Sequence, residues 1–380
     1  MKVQEYLKEN GLQSLVNEFA IDVSDYPDRV VLNYNQINSP KFHPICDECR
    51  ALILKKDSWE VIARSFDRFY NVGEGEDWKT FPVEQARIDE KLDGSLISIY
   101  YDEEKGWIPA TRKKAFAEGG TAFGLDFNEL FKKAIAGTQV EIYLASQLNK
   151  NFTYIFELTS PMNRVVTPYS ETNVTLIGIR NNLNGYEVGK KALDSVANDM
   201  GVARPKVFDC NNFDEIKEMA DNLAAMDEGF VLTVEQEGSF RRLKCKNSKY
   251  LAIAHLRNNG VISPRRILTL IIENEQEEYL SYFPEDKEYF DFVQDIYDNS
   301  MCRVIEIWKE VKDLENQKEF ALAVQGGTTQ KHEQGLLFNL RKESVGLYEL
   351  IKRFEPKKIA KGLQLKEKFA KKFGIEEEDE

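Results

Sequence analysis

Lysines set beside strand-like runs are the first residues in this sequence that could do chemistry. In "EKLDGSLISIY", Lys91 stands two residues before Asp93-Gly94. That dipeptide reads as a tight turn with Gly94 in the φ > 0 position. Leu96 to Tyr101 reads as the strand that follows, rich in Ile and Tyr. A primary amine at the mouth of a turn is a candidate nucleophile. Further on, "LKCK" puts Lys244 and Lys246 two residues apart, so both side chains leave the same face of a strand. Two ammonium groups on one face repel each other unless an anion lies between them. Their neighbours Leu243, Cys245 and Tyr250 are apolar or amphipathic, which makes the strand partly buried and phosphate the natural counter-ion. The carboxylates are also out of place. Glu157 lies inside "YIFELTS" and Glu228 precedes "GFVLTV". An acid in a β-hydrophobic run is costly unless it is paired, binds a metal or holds a polar ligand. Taken singly, each has an ordinary reading: a solvated lysine, or an acid in a structural ion pair.

Composition limits the setting. With 380 residues the chain is long enough for two domains. Its net charge of −13 argues against a surface that coats nucleic acid throughout, while leaving room for a local basic groove. The acidic end "EEEDE" supplies part of that excess. Five cysteines without framework spacing predict free thiols and a reducing, cytoplasmic setting. No apolar run is long enough to span a bilayer, and residues 1–20 read as an amphipathic helix rather than a signal peptide. Three histidines leave little room for His-based catalysis. In "HPICDEC", His43, Cys46 and Cys49 lack a second pair to complete a zinc site, so a buried thiol pair is expected. The Gly-rich stretches near Gly73 and Gly119 lack a P-loop lysine and read as loops.

The elements that must position these residues divide the chain. "ALILKK", "WEVIAR", "SLISIYY", "YIFELTS", "VTLIGIR", "GFVLTVE" and "FRRLKCK" read as strands, the last two joined at Glu237-Gly238. Residues 128–149 and 213–226 carry apolar residues at helical spacing. This mixture predicts an α+β domain with antiparallel sheets over residues 1–253. From residue 254 to 380 every segment has a helical period, punctuated by Pro264, Pro284 and Pro356. That predicts an all-α C-terminal domain.

Four segments together resemble a family. Lys91 to Leu96, "KLDGSL", is similar to the nucleotidyl-attachment motif of the covalent nucleotidyltransferases, the nucleic-acid ligases and capping enzymes. "FELTSP" from Phe156, "DEGFV" from Asp227 and "LKCK" from Leu243 resemble that superfamily's later motifs in the same order, with "LIGIR" from Leu176 between them. The closest likeness is to the RNA ligases of the phage T4 RNA ligase 1 type. "ECRALIL", "ARSFDRFYNVGE" and "SPMNRVVTPY" resemble further segments of that family, and "LIIENEQEE" a stretch bearing a metal-linked acid. Arg68 and Arg112 stand where that family has lysine, and Glu277 where it has aspartate.

The resemblance implies an ATP-grasp-like adenylation fold followed by a helical RNA-recognition domain. It implies ATP-dependent joining of RNA with 5′-phosphate and 3′-hydroxyl ends through a lysyl-AMP intermediate, using Mg²⁺ or Mn²⁺. The role would be RNA repair, with nicked tRNA as a substrate, by a monomer that uses no membrane. Lys91 would be the covalent nucleophile, with Asp93 and Gly94 shaping its turn. Arg50 and Arg68 would contact phosphates or nucleotide, and Arg112 would assist catalysis. Glu157 would hold the ribose, Glu228 and Glu277 the metal, and Lys244 and Lys246 the α-phosphate. Tyr34 would pack by the nucleotide, Phe69 and Tyr70 would stack on a base, and Tyr250 would support later steps. An ordinary lysine, with a pKa of about 10.4, is protonated at neutral pH. Lys244, Lys246 and the metal are therefore expected to disfavour the charge on Lys91. A DNA ligase or a capping guanylyltransferase is the neighbouring alternative, but no OB-like β domain follows "LKCK". A non-catalytic nucleotide- or RNA-binding module is the alternative from another class, and Lys91 together with both later lysines argues against it.

Overall fold

Strand alternation decides how the first part of the chain layers. A computed structural model describes residues 1–119, 126–146, 148–236, 239–257, 262–273, 275–343 and 347–374. It divides into two units, Met1–His255 and Leu256–Glu380.

The chain opens with α1 (Lys2–Phe19), interrupted at Gly11, whose φ of 78° no regular helix adopts. Then come β1 (Ile21–Asp25), β2 (Arg29–Tyr34), α2 (Pro44–Glu48), β3 (Leu52–Lys55) and β4 (Val61–Arg64). The four strands pair antiparallel in that order. Val30, Leu32, Leu52 and Leu54 pack with Val3, Leu7 and Leu15 of α1. Val31 and Ile53 point the other way and pack with Tyr100 and Ile108. Sequence reading did not single out β1 or β2, although "RVVLNY" carries the β-branched residues a strand favours.

β5 (Tyr70–Asn71), β6 (Arg87–Glu90), β7 (Ser95–Asp102), β8 (Gly106–Ala110), α3 (Phe127–Ile135), α4 (Gln139–Ser146), β9 (Phe152–Thr159) and β10 (Asn173–Asn181) follow. A second antiparallel sheet has the order β10-β9-β7-β8. Ile97, Ile99, Phe156, Leu158 and Leu176 bury one of its faces against Leu130, Phe131 and Ile135 of α3. Asp126 caps α3 by accepting from the Glu129 N–H at 2.7 Å. The one helix expected over 128–149 is two, because Gly137 takes a φ of 71° between them.

α5 (Lys190–Asp199), β11 (Val207–Phe208), α6 (Phe213–Asn222), β12 (Gly229–Gln236), β13 (Ser239–Lys246) and α7 (Ser248–Arg257) come next. The third sheet has the order β11-β6-β12-β13-β5. All its pairs are antiparallel except β13 with β5, which is parallel. The expected turn at residues 237–238 lies outside the described residues.

The second unit contains α8 (Pro264–Glu273), α9 (Gln276–Tyr282), α10 (Lys287–Val311), α11 (Gln317–Gly327), α12 (Lys331–Glu343), α13 (Leu347–Arg353), α14 (Pro356–Gly362) and α15 (Leu365–Phe373). Its described residues form helices and a short 3₁₀ turn, with no strand, so the chain has the expected α+β part followed by an all-helical part. Pro264 and Pro356 are each the first residue of a helix, where a missing N–H costs nothing. The buried Glu333 accepts from Ser300 Oγ at 2.6 Å and Arg303 Nη2 at 2.7 Å, tying α12 to α10. No described helix is long and apolar enough to cross a membrane.

One expectation needs correcting. Gly94 does not take a positive φ, and the segment from Lys91 bends directly into β7 without a hairpin turn. The glycine is required by close approach: a Cβ there would stand 2.5 Å from the Leu158 carbonyl oxygen of β9. Gly94→Ala must push β7 away from β9. The expected cost is ~1–3 kcal/mol, read as a lower urea midpoint at an unchanged m value. An unchanged midpoint would show that the approach is not tight.

Candidate active site

The third sheet has two unlike faces, and the site stands on the polar one. Ile88 of β6, Phe230, Leu232 and Val234 of β12, and Leu243 and Cys245 of β13 are buried together with Ile216 and Ala220 of α6. Their alternates form the opposite face. The ladder sets Asp89 opposite Val231, Arg87 opposite Thr233, Arg242 opposite Thr233, Lys244 opposite Val231 and Lys246 opposite Gly229. Lys91 continues β6: its backbone N–H donates to the Gly229 carbonyl at 2.8 Å. Lys91, Lys244 and Lys246 therefore share one face with Asp89 and Arg242. Gly229 itself, at φ 132°, lies so close to β13 that a Cβ would stand 2.2 Å from the Cys245 carbonyl oxygen.

Glu228 joins two of the lysines. Lys91 Nζ donates to Glu228 Oε2 at 2.6 Å, and Lys246 Nζ lies 2.8 Å from Glu228 Oε1. Glu228 is 6% exposed. Burial pushes its carboxyl up, but Lys91 and Lys246 outweigh that and hold it below its ordinary value. For Lys91 burial favours the neutral amine, yet Glu228 and then Glu157 prevail, and its ammonium is held above its ordinary value. This departs from the expectation that nearby cations neutralise Lys91. In this state the carboxylates control it.

Lys244 is held below its ordinary value. Burial, then Lys91, Arg50 and Lys246, push it down to about 7. Its Nζ lies 5.2 Å from the centre of the Phe69 ring, and the Arg50 guanidinium carbon lies 5.4 Å from the same ring. Burial, followed by Glu228's charge, pushes Glu157 up to about 7, against the pull of Lys91 and Arg50. Glu157 Oε1 accepts from the Gly94 N–H at 3.2 Å, so the strand β9 acid touches the segment that carries Lys91.

Asp93 fixes that segment. Its Oδ1 accepts from Tyr250 Oη at 2.7 Å, and its Oδ2 from the backbone N–H groups of Val166 and Thr167 at 2.8 and 2.7 Å. Its own N–H donates to Tyr169 Oη at 3.1 Å. Burial, then Glu228 and Asp93, keep the Tyr250 hydroxyl far above its ordinary value, so here it is a hydrogen-bond donor and not an acid.

Arg50, Phe69, Lys91 and Glu157 line one cavity, with Lys190 and Arg242 on its wall. About 600 Å³ of space lies in it, with its open mouth and the solvent there included. Arg50 Nη1 is buried there without a hydrogen-bond partner, and so is Arg68 Nη1 nearby. Unpaired buried guanidinium nitrogens beside an ammonium of low proton affinity suit a polyphosphate. Among the described residues no group of three or more His, Cys, Asp or Glu side chains could hold a metal. A divalent cation would therefore rest on Glu228 and on oxygens of a bound ligand.

The remaining expected residues lie beside this cluster or away from it. Tyr34 is sandwiched between two guanidinium groups, with Arg68 at 4.0 Å and Arg112 at 4.5 Å from its ring centre. Arg112 Nε donates to Asn33 Oδ1 at 2.9 Å. Tyr70 stacks on Phe42 with ring centres 3.9 Å apart and donates to Asp47, so its ring is already engaged. Glu277 belongs to α9 of the second unit and is exposed. Cys46 and Cys49 are free, buried thiols, and His43 packs on Phe19. Sequence reading missed Asp89, Lys190, Thr233, Arg242 and Tyr169. Period-two alternation back from Lys91 and Lys244 was the available signal for Asp89 and Arg242. The same alternation along β12 was available for Thr233, and Tyr169 ends the family-like segment "SPMNRVVTPY", but nothing in the sequence pointed to Lys190.

Known proteins resemble this chain over the segment that holds the cluster. The RNA ligase family profile, of the T4 RNA ligase 1 type, matches residues 48–250. A protein of Autographa californica nuclear polyhedrosis virus, assigned as a bifunctional polynucleotide kinase/RNA ligase, is 33% identical over 76% of this chain and 42% of its own length. This chain thus spans less than half of that viral relative. An RNA ligase of Rhodothermus phage RM378 is 27% identical over 71% of this chain and 74% of its own. Among solved structures, an archaeal ATP-dependent RNA ligase aligns with a TM-score of 0.47 and 13% identity, covering 90% of this chain and 82% of that one. The matched span holds Lys91, Glu157, Glu228, Lys244 and Lys246, and by it this chain belongs to the RNA ligase family of the T4 RNA ligase 1 type.

Proposed function

We propose that this chain is an ATP-dependent RNA ligase that joins a 5′-phosphate end to a 3′-hydroxyl end. The observation that carries this reading is one cavity lined by Lys91, Arg50 and Glu157, with Glu228 paired to Lys91, Lys246 paired to Glu228, and Lys244 close enough to feel the charges of Lys91 and Arg50. An amine, a cationic cradle and a ribose-sized acceptor are what adenylyl transfer to a lysine requires.

The first step forms a bond from Lys91 Nζ to the α-phosphorus of ATP and breaks the bond to pyrophosphate, which leaves. The Lys91 ammonium gives up two protons in this step, one to free the amine for attack and one on forming the phosphoramidate N–H, and the departing pyrophosphate and water take them. In the second step an RNA 5′-phosphate oxygen attacks the same phosphorus and Lys91 leaves as the amine. In the third, a 3′-hydroxyl attacks the 5′-phosphate and AMP leaves.

Residue roles follow the geometry. Glu228 Oε2 holds the Lys91 proton before reaction, so loosening that pair is the condition for attack. Lys246, drawn from Glu228, would bind the α-phosphate oxygens instead. Lys244 and Arg50 stand ready for the same oxygens. Glu157 would accept from the ribose hydroxyls. A divalent cation held by Glu228 and the phosphates would supply charge neutralisation at the leaving group. Asp93 and Tyr250 keep the Lys91 segment in place. Arg68, Arg112 and Tyr34 form a cationic stack suited to a phosphate or an RNA end. The helical unit would bind RNA, with a broken tRNA loop as the proposed natural substrate.

Incubation with α-labelled ATP and Mg²⁺ should leave label covalently on the chain. Lys91→Ala should retain none, and Lys91→Arg, which keeps the charge, should also retain none. Label on either variant would sink the assignment, label from GTP alone would favour capping, and joining of nicked duplex DNA but not RNA would favour a DNA ligase.

Lys244, at about 7 in this state, is mostly neutral at pH 8. A polyphosphate beside it raises its proton affinity, so binding must take up a proton there. Calorimetry at pH 8 with a non-cleavable α,β-methylene ATP, in buffers of different ionisation enthalpy, should show more proton uptake for wild type than for Lys244→Met. Equal uptake by both would remove Lys244 from the phosphate cradle.

A further inference from the structure

We propose that Thr233 and Lys190 read the base of the nucleotide, Thr233 through the 6-amino group of adenine and Lys190 through a ring nitrogen. The inference rests on the ligase reading above and adds to it the residues that select ATP.

Thr233 and Lys190 both line the cavity that Lys91 opens into. Neither belongs to a segment that marks the family. Thr233 is 3% exposed, and its Oγ1 is buried without a hydrogen-bond partner. An unpaired buried hydroxyl costs ~1–3 kcal/mol, so a ligand group that satisfies it binds with that advantage. Strand alternation puts Thr233 on the polar face of β12, two residues beyond Val231.

Lys190 begins α5 and reaches the same cavity. Its Nζ donates to Asp89 Oδ2 at 3.0 Å. Asp89 Oδ1 is taken by Arg87 Nε at 2.7 Å, so the carboxylate is fixed from both sides. An ammonium has three N–H groups, and Asp89 uses one. Burial pushes Lys190 down to about 8, against the pull of Asp89. It therefore remains mainly a charged donor at neutral pH.

Phe66, Ile177 and Val231 give the same cavity an apolar wall, beside the charged Asp89 and Arg242. A planar base suits apolar walls with a few convergent polar groups. Adenine offers an amino donor flanked by ring-nitrogen acceptors, whereas guanine replaces the amino group with an acceptor oxygen. A hydroxyl that accepts from the amino group, next to an ammonium that donates to N1, complements the first pattern, because guanine carries a hydrogen on N1 that an ammonium repels.

The test measures lysyl-nucleotide formation with ATP and with purine riboside triphosphate, which lacks the 6-amino group. Wild type should use the analogue roughly tenfold less well in kcat/KM, and Thr233→Val should use ATP roughly tenfold less well. Thr233→Val should lose nothing further with the analogue, because the partner is already absent. Lys190→Met should lower both nucleotides alike, since both keep the ring nitrogens. An equal loss with both nucleotides in Thr233→Val, or a loss with neither, would overturn the inference while leaving the ligase reading intact. No label on wild type with any nucleotide would instead overturn the ligase reading, and this inference with it.

Discussion

A single buried carboxylate, Glu228, holds two ammonium groups, Lys91 at 2.6 Å and Lys246 at 2.8 Å. Removing charges from water is expensive, and three charges in one pocket persist only because their geometry satisfies them together. The arrangement requires β6, β12 and β13 to run side by side in one register, since each supplies or adjoins one member. A slip of one residue would turn every one of these side chains to the other face. The apolar alternates Ile88, Phe230, Leu243 and Cys245, buried against α6, prevent that slip. The core of the third sheet thus holds the charges of the site in place.

Two glycines let the backbones come close enough. Gly229 lies against the Cys245 carbonyl and Gly94 against the Leu158 carbonyl. The first brings the Glu228 strand onto the Lys246 strand. The second brings the Lys91 segment onto the strand of Glu157. Any side chain at either position would widen the gap between groups that must touch. Asp93 completes the fixing, with Tyr250 and two backbone N–H groups bound to its oxygens.

Electrostatically, this state is a resting one. Lys91 keeps its proton because Glu228 and Glu157 outweigh burial. Lys244, lacking a carboxylate of its own, is pushed down to about 7, and Glu157 is pushed up to about 7. Groups held away from their ordinary values are groups that a ligand can restore. A polyanion beside Lys244 would relieve it. The overall charge of −13 does not oppose this, because Arg50, Arg68, Arg112, Arg242 and Lys244 gather positive charge locally.

Much of the architecture was legible before the structure. Period-two runs marked the strands that carry Glu157 and Lys246 and the one that follows Lys91, and helical periods marked the second unit, because these patterns follow from local geometry. Motif order singled out Lys91, Glu157, Glu228, Lys244 and Lys246 as a set. Local pattern could not tell why Gly94 is glycine, since the reason is a carbonyl 64 residues further along. Nor could it place Thr233 or Lys190 on the cavity wall, or show that Tyr70 is already engaged by Phe42 and Asp47. The protonation of Lys91 was the sharpest divergence. By itself, the sequence determined which charged residues lie in strands and on which face they stand. Only the tertiary structure decided which charges meet, because the proton affinity of a buried lysine depends on distances of a few ångströms between segments far apart in the chain.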